Sequence, residues 1–300
     1  MTTTAIVLIT ISVIAHAGWN LFSKRQPSVA FFLITSGTSS LVLLPLLWYN
    51  RTLFPWVSPA VWGLVALTGL AQAIYYSGVA GAYRHGDMSL AYPMLRALPV
   101  LLVTGISFAL GRGDQITPLG LVGIITVAVG CLLLPIKSFH DVRLQDYLAM
   151  CCLLALVAAV GTTGYTMIDD EALRQLRTGL AWMDKTSITL FYIALQTFST
   201  ALWVMLFVLI LPSERQRLRD VWQVGRWQAA GTGLVITSAY GLVLASMAYV
   251  SNVSYVAAFR QMSIPLGALL GILVLKEARY LPKLIGVGVV SMGLVLVALF

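Results

Sequence analysis

Apolar runs of bilayer length recur ten times along this chain, and that recurrence constrains its fold more than any single motif. Breaks at charges, prolines and turn clusters separate segments at 2–22, 29–49, 60–82, 88–110, 118–136, 145–167, 187–211, 227–249, 253–275 and 281–300. A bilayer core takes about 20 helical residues, so each segment is long enough to cross. Lipid offers backbone polar groups no partner, which makes helices the default crossing element. Hydrophobic residues make up 59% of the 300 and charged residues 10%, where soluble domains carry about 25% charged. Short loops take up what remains, which excludes a large extramembrane catalytic domain. The expected fold is an all-α integral membrane protein with ten transmembrane helices, resident in a cell (inner or plasma) membrane.

The longest linker, 169–186, opens with Asp169-Asp170-Glu171 and reads as a polar loop with at most a short surface helix. The first segment has the apolar character of a signal peptide, and Ala15-His16-Ala17 mimics a cleavage site. Met1–Thr4 carries no positive charge, so a retained first span is expected. Cys131, Cys151 and Cys152 lie in apolar stretches, which is not the pattern of an exported disulfide framework.

The net charge of +8 comes without a basic cluster interleaved with aromatics, so no nucleic-acid partner is expected. The charge reports orientation instead. With ten spans, loops on the side opposite the termini carry 12 Lys and Arg, and loops on the terminal side carry 5. The positive-inside rule then puts both termini outside the cytoplasm.

The chain also repeats itself. Ala82-Tyr83 to Pro99 resembles Ala248-Tyr249 to Pro265 at an offset of 166 residues. Gly123 and Gly130 match Gly286 and Gly293 at 163, and Leu110-Gly111-Arg112 matches Leu275-Lys276-Glu277 at 165. The expected units are 1–143 and 144–300, each of five spans. An odd number of spans inserts the second copy upside down, giving two inverted five-helix repeats, a recurrent transporter architecture with substrate held near the midplane.

The residues that carry a family resemblance are His16-Ala17-Gly18-Trp19-Asn20 with Lys24, Ala91-Tyr92-Pro93-Met94-Leu95-Arg96 with Pro99, Tyr165-Thr166 with Asp169, Ala257-Ala258-Phe259-Arg260, and Leu275-Lys276-Glu277. On these the chain resembles the EamA-type transporters of the drug/metabolite transporter superfamily, over essentially its whole length. The resemblance implies a small-metabolite carrier working by alternating access, as exporter, exchanger or facilitator. Members are commonly drawn with both termini cytoplasmic, whereas the loop charges here put them outside.

Arg96 and Arg260 stand out as charges inside spans. Such residues are costly in lipid and usually face an interior or aqueous cavity. Both lie about 10–12 Å deep at about 1.5 Å rise per residue. Pro93 and Pro99 bracket Arg96 and Pro265 follows Arg260, so helix breaks are expected at matching places in the two halves. A guanidinium fork suits a carboxylate or phosphate; the other role open to each arginine is to tie down interior carbonyls. His16, Trp19 and Asn20 share one face of the first span. Tyr92 shares a face with Arg96, and Tyr165 and Gln261 complete the substrate-binding candidates. Gln72, Tyr75, Tyr76 and Tyr240 are weaker ones.

All 11 Asp and Glu fall in loops or at span ends, so no carboxylate proton carrier is expected, and His16 is the one intramembrane proton-coupling candidate. No nucleophile, base or metal-ligand constellation converges, so no catalytic residue, metal or cofactor is expected and the chain reads as a non-enzyme. Gly267 and Gly271 form a GxxxG that serves packing within a monomer or, alternatively, a dimer. The expected partners are a small-molecule solute, probed best among amino acids, organic acids and phosphorylated compounds, and the lipid bilayer. The alternatives are a flippase for a lipid-linked sugar or other amphiphile and a membrane-embedded enzyme.

Overall fold

The computed structural model describes residues 2–23, 28–85, 88–111, 116–133, 136, 138, 150–264, 266 and 280–299. These are helical, with no strand among them. The helices are α1 (Thr3–Ser23), α2 (Val29–Tyr49), α3 (Pro59–His85), α4 (Met88–Ala109), α5 (Pro118–Leu133), α6 (Met150–Gly179), α7 (Lys185–Ile210), α8 (Pro212–Asp220), α9 (Arg226–Ser246), α10 (Val253–Phe259) and α11 (Leu281–Leu299). Short 3-10 turns occupy Arg51–Trp56, Met247–Tyr249 and Arg260–Met262, and a π-helical turn, Val221–Gly225, joins α8 to α9.

Five helical stretches are long and apolar enough to cross a membrane: Val29–Tyr49, Pro59–His85, Cys152–Gly179, Lys185–Ile210 and Pro212–Tyr249. Their outward faces stay apolar, with Leu41, Val42, Leu67, Leu153, Val160, Leu202, Met205 and Leu209 all exposed. A soluble helix would present charge there. Exposed tryptophans gather at two levels. Trp48, Trp56 and Trp182 cluster where α2 ends and α6 turns into α7, and Trp222 and Trp227 flank the α8–α9 junction. Aromatic belts of this kind mark the two membrane–water interfaces. The chain is a multi-pass helical membrane protein.

Several expectations need correction. The polar segment 169–186 is not a loop up to Gly179: α6 continues through Asp169-Asp170-Glu171 as one 30-residue helix. Glu171 binds Arg174 one turn on at 3.0 and 2.5 Å, and such pairs support a helix through a charged run. The linker after the seventh span is also helical, as α8. Pro93 and Pro99 do not break α4, whose backbone is helical from Met88 to Ala109; membrane helices tolerate proline where neighbours satisfy the freed carbonyls. The second-half interruption falls at Arg260, where α10 gives way to a 3-10 turn. Pro265, Gly267 and Gly271 lie outside the described residues.

Helices pair in a regular way. α3 lies along α6, α1 along α9, α2 along α7, and α5 along α11. The α5–α11 seam shows why glycine is needed. A Cβ on Gly123 would come within 2.8 Å of the Gly293 carbonyl, and one on Gly130 within 3.0 Å of the Gly286 carbonyl. These are the glycines that repeat at an offset of 163, and they face one another.

Candidate functional site

The helices line a partly open pocket, rich in polar side chains, between two apolar clusters. α7 shows the order most simply. Its first turns bury Ile188 and Phe191 in a cluster with Ile9, Leu173, Leu176 and Leu180. Its middle presents Gln196, Thr197 and Thr200 to the cavity. Its last turns bury Val204 and Val208 with Phe31, Phe32 and Val79. The same order holds on α2, α3, α6 and α9, which contribute Thr35 and Ser36, Gln72, Tyr75 and Tyr76, Tyr165, and Thr237 and Tyr240. α1 adds His16, and Arg260 closes the wall. Its volume is about 50 Å³, room for a few waters.

Serine and threonine are cheap in these helices because a hydroxyl can return to the carbonyl one turn back. Thr35 does so to Phe31 at 2.9 Å, Ser36 to Phe32 at 2.8 Å and Thr200 to Gln196 at 2.9 Å. Others cross between helices: Ser40 donates to the Thr197 carbonyl at 3.1 Å, Thr237 to Ser39 at 2.8 Å, and Ser12 to the Ala239 carbonyl at 2.5 Å. Gln196 differs. It is 3% exposed, and its Nε2 has no partner among the described residues. A buried amide donor left unbonded costs about 1–3 kcal/mol, which a cavity occupant with an acceptor would recover.

Arg260 is 8% exposed where α10 ends. Its Nη2 donates to the Tyr165 hydroxyl at 3.4 Å, and its Cζ lies 5.4 Å from the Tyr240 ring centroid. Tyr165 stands edge-on to Tyr240 at 5.3 Å and to Tyr75 at 5.8 Å. The arginine is thus held against an aromatic wall, which favours a cation at the ring faces.

Behind that wall sits a group that the sequence reading placed in a loop. Asp169 is 0% exposed. Its Oδ1 accepts from Thr68 at 2.6 Å and from Tyr192 at 2.5 Å, and its Oδ2 accepts from Tyr240 at 2.5 Å. The donors come from α3, α7 and α9. The expectation that every acid lies in a loop or at a span end is therefore wrong for Asp169. Glu214 stands in the linker helix α8, between spans as expected, yet it is buried. Glu214 is 1% exposed and accepts from Arg84 at 2.6 Å, Arg217 at 3.0 Å and the Ala30 N–H at 3.1 Å.

Of the expected site residues, Arg260, Tyr165 and His16 meet at the cavity, together with Gln72, Tyr75, Tyr76 and Tyr240. His16 donates through Nδ1 to its own helix's Ser12 carbonyl at 2.9 Å. The side chains of Arg96, Tyr92, Trp19, Asn20 and Gln261 lie outside the described ones, although their backbones are helical. Sequence reasoning missed Asp169, Gln196, Tyr192 and the α2 hydroxyls. The last had a signal: Thr35, Ser36, Ser39 and Ser40 form a polar stripe at helical spacing within an apolar span. Among the described residues no group of three or more His, Cys, Asp or Glu is placed to hold a metal.

No family model matches the sequence, and no curated protein matches it. A solved crystal structure of a protein 17% identical in sequence aligns with a TM-score of 0.71, covering 100% of this chain and 98% of that one. That likeness shows a shared fold.

Proposed function

We propose that this chain is an EamA-type transporter of the drug/metabolite transporter superfamily, which carries small anionic or zwitterionic metabolites by alternating access. Ten spans in two inverted five-helix repeats, 1–143 and 144–300, are part of that reading. Helix pairing supports the repeat. Exchanging the halves turns the α3–α6 contact into the α9–α1 contact, and turns the facing glycines 123 and 293 into 286 and 130. Both members of each exchange are present.

The observation that carries the function is Arg260, a guanidinium held in a polar cavity with an apolar cluster on either side. Polar groups gathered between apolar clusters midway along the helices are what a carrier's binding site requires, and a fork-shaped cation selects a carboxylate or phosphate. Gln196 Nε2 offers a second donor to the same occupant. The hydroxyl-rich lining favours a water-soluble solute over a lipid tail.

Reconstituted uptake tests this. Proteoliposomes should accumulate or exchange at least one member of a panel of labelled amino acids, organic acids and sugar phosphates. Translocation of a fluorescent lipid with no solute flux would favour the flippase instead. Orientation is separable: a cysteine at position 3 should label from outside intact cells and one at position 217 should not.

A further inference from the structure

We propose that Asp169 is the proton-binding site of this transporter, and that it couples to Arg260 through Tyr240. The inference rests on the transport reading above. It reaches beyond that reading, because the expected coupling residue was His16 and no carboxylate was expected inside a span.

Asp169 does not line the cavity, and at 0% exposure no solute reaches it. The oxygens around it donate rather than coordinate, with three hydroxyls at 2.5–2.6 Å. A proton is the ligand that fits. Four charged or titratable groups share its surroundings: Tyr192 on α7, Tyr240 on α9, Arg260 at the end of α10 and Tyr165 one turn back on α6. His16 on α1 and Tyr75 and Tyr76 on α3 line the cavity in front. Arg96 is the charged residue of α4, which also packs on α6.

The donors divide in a way that allows protonation. Oδ1 holds two of them, and Oδ2 holds Tyr240 alone among the described residues. A carboxylate oxygen has two lone pairs, so Oδ2 is where a proton adds. Tyr240 also lines the cavity. A hydronium there gives a proton to the Tyr240 oxygen as the tyrosine's own proton passes to Oδ2. The tyrosine stays neutral, the hydronium becomes water, and the carboxylate becomes a carboxylic acid. Oδ1 keeps both of its donors, and the hydroxyl that no longer donates is Tyr240's own, whose oxygen now accepts from Oδ2.

Charge sets the direction of coupling. With Asp169 ionised, Arg260 has an anion one aromatic ring away. Protonation removes that charge and makes the potential beside Arg260 more favourable to an anionic solute. Proton and anion therefore bind together, and each strengthens the other by the same factor.

Two measurements on the purified full-length protein test this. Infrared difference spectra between acid and neutral pH should show a carboxylic-acid C=O band that Asp169→Asn abolishes. Equilibrium binding of sulfate, and of each member of the anion panel, should tighten on acidification by about fivefold or more in the parent. In Asp169→Asn, which mimics the protonated acid, it should be tight and flat with pH. If that variant does not fold, Asp169→Glu must keep the band at a changed position. Absence of the band in the parent, its persistence in Asp169→Asn, or pH-independent binding by the parent overturns the proton site. A titrating band with no anion bound at any pH overturns the coupling and the Arg260 reading together, and leaves Asp169 as a proton site alone.

Discussion

Two buried carboxylates lie along α3, and they are neutralised by opposite means. Glu214 meets the Arg84 end of the helix and takes two guanidiniums and a backbone N–H. Asp169 meets Thr68, sixteen residues earlier or about 24 Å along the axis, and takes three neutral hydroxyls. Fixed cations hold the Glu214 carboxylate in one geometry, and the Ala30 N–H ties the α2 N-terminus to the same knot. Hydroxyls are both donors and acceptors, so they can follow a carboxylate through a change of protonation. The first arrangement suits a structural tie between α2, α3 and α8, the second a group that works.

The largest effect expected is at the tie. Glu214→Ala leaves Arg84, Arg217 and the Ala30 N–H without their acceptor. Breaking a buried pair costs about 3–5 kcal/mol. Arg84 keeps 28% and Arg217 40% of its side chain exposed, so a loss of about 3 kcal/mol is expected, read as thermal unfolding in detergent. An unaffected unfolding temperature would make Glu214 no different from a surface acid and would collapse the comparison.

Tyr240→Phe comes next. It keeps the ring beneath Arg260 and removes one donor to Asp169, so a loss of about 1–3 kcal/mol is expected. The same substitution sharpens the contrast, because it should also slow proton exchange at Asp169, which no substitution around Glu214 should do. Hydrogen–deuterium-sensitive infrared bands would report it.

The smallest effect lies outside the membrane. Asp184 caps α7, accepting from the Thr186 and Ser187 N–H groups at 3.0 and 2.9 Å, and the Ser187 hydrogen bonds hold its carboxyl below the ordinary carboxylate range. A depressed value means that the cap's contribution is complete above the ordinary carboxylate pKa and fades as pH falls through the folded one. Asp184→Ala should therefore melt slightly earlier than the parent at neutral pH and together with it in strong acid.

The helical pattern was legible because lipid imposes it: the apolar runs predicted helices whose bounds, where described, mostly fall within a few residues, and five helical stretches are long and apolar enough to cross a membrane. Arg260 was legible because a charge in an apolar run needs a cavity. Asp169 was not. It stands in Asp169-Asp170-Glu171, and a run of acids reads as solvent-facing loop. Only one of the three turns inward, and the choice is made by Thr68, Tyr192 and Tyr240, residues 101, 23 and 71 positions away. Gln196 was hidden for the same reason, since whether an amide finds a partner is decided by neighbouring helices and not by its own.

The most direct test of the account is anion binding by Arg260. Purified parent protein, Arg260→Lys and Arg260→Gln are compared by thermal shift and equilibrium binding against carboxylates, phosphates and matched cations. The parent should be stabilised by at least one anion. Arg260→Lys, which keeps the charge but loses the fork, should bind it more weakly, and Arg260→Gln should lose about 1.5–3 kcal/mol, the scale of a hydrogen bond to a charged group. Equal affinity in all three, or selective stabilisation of the parent by cations, would contradict it.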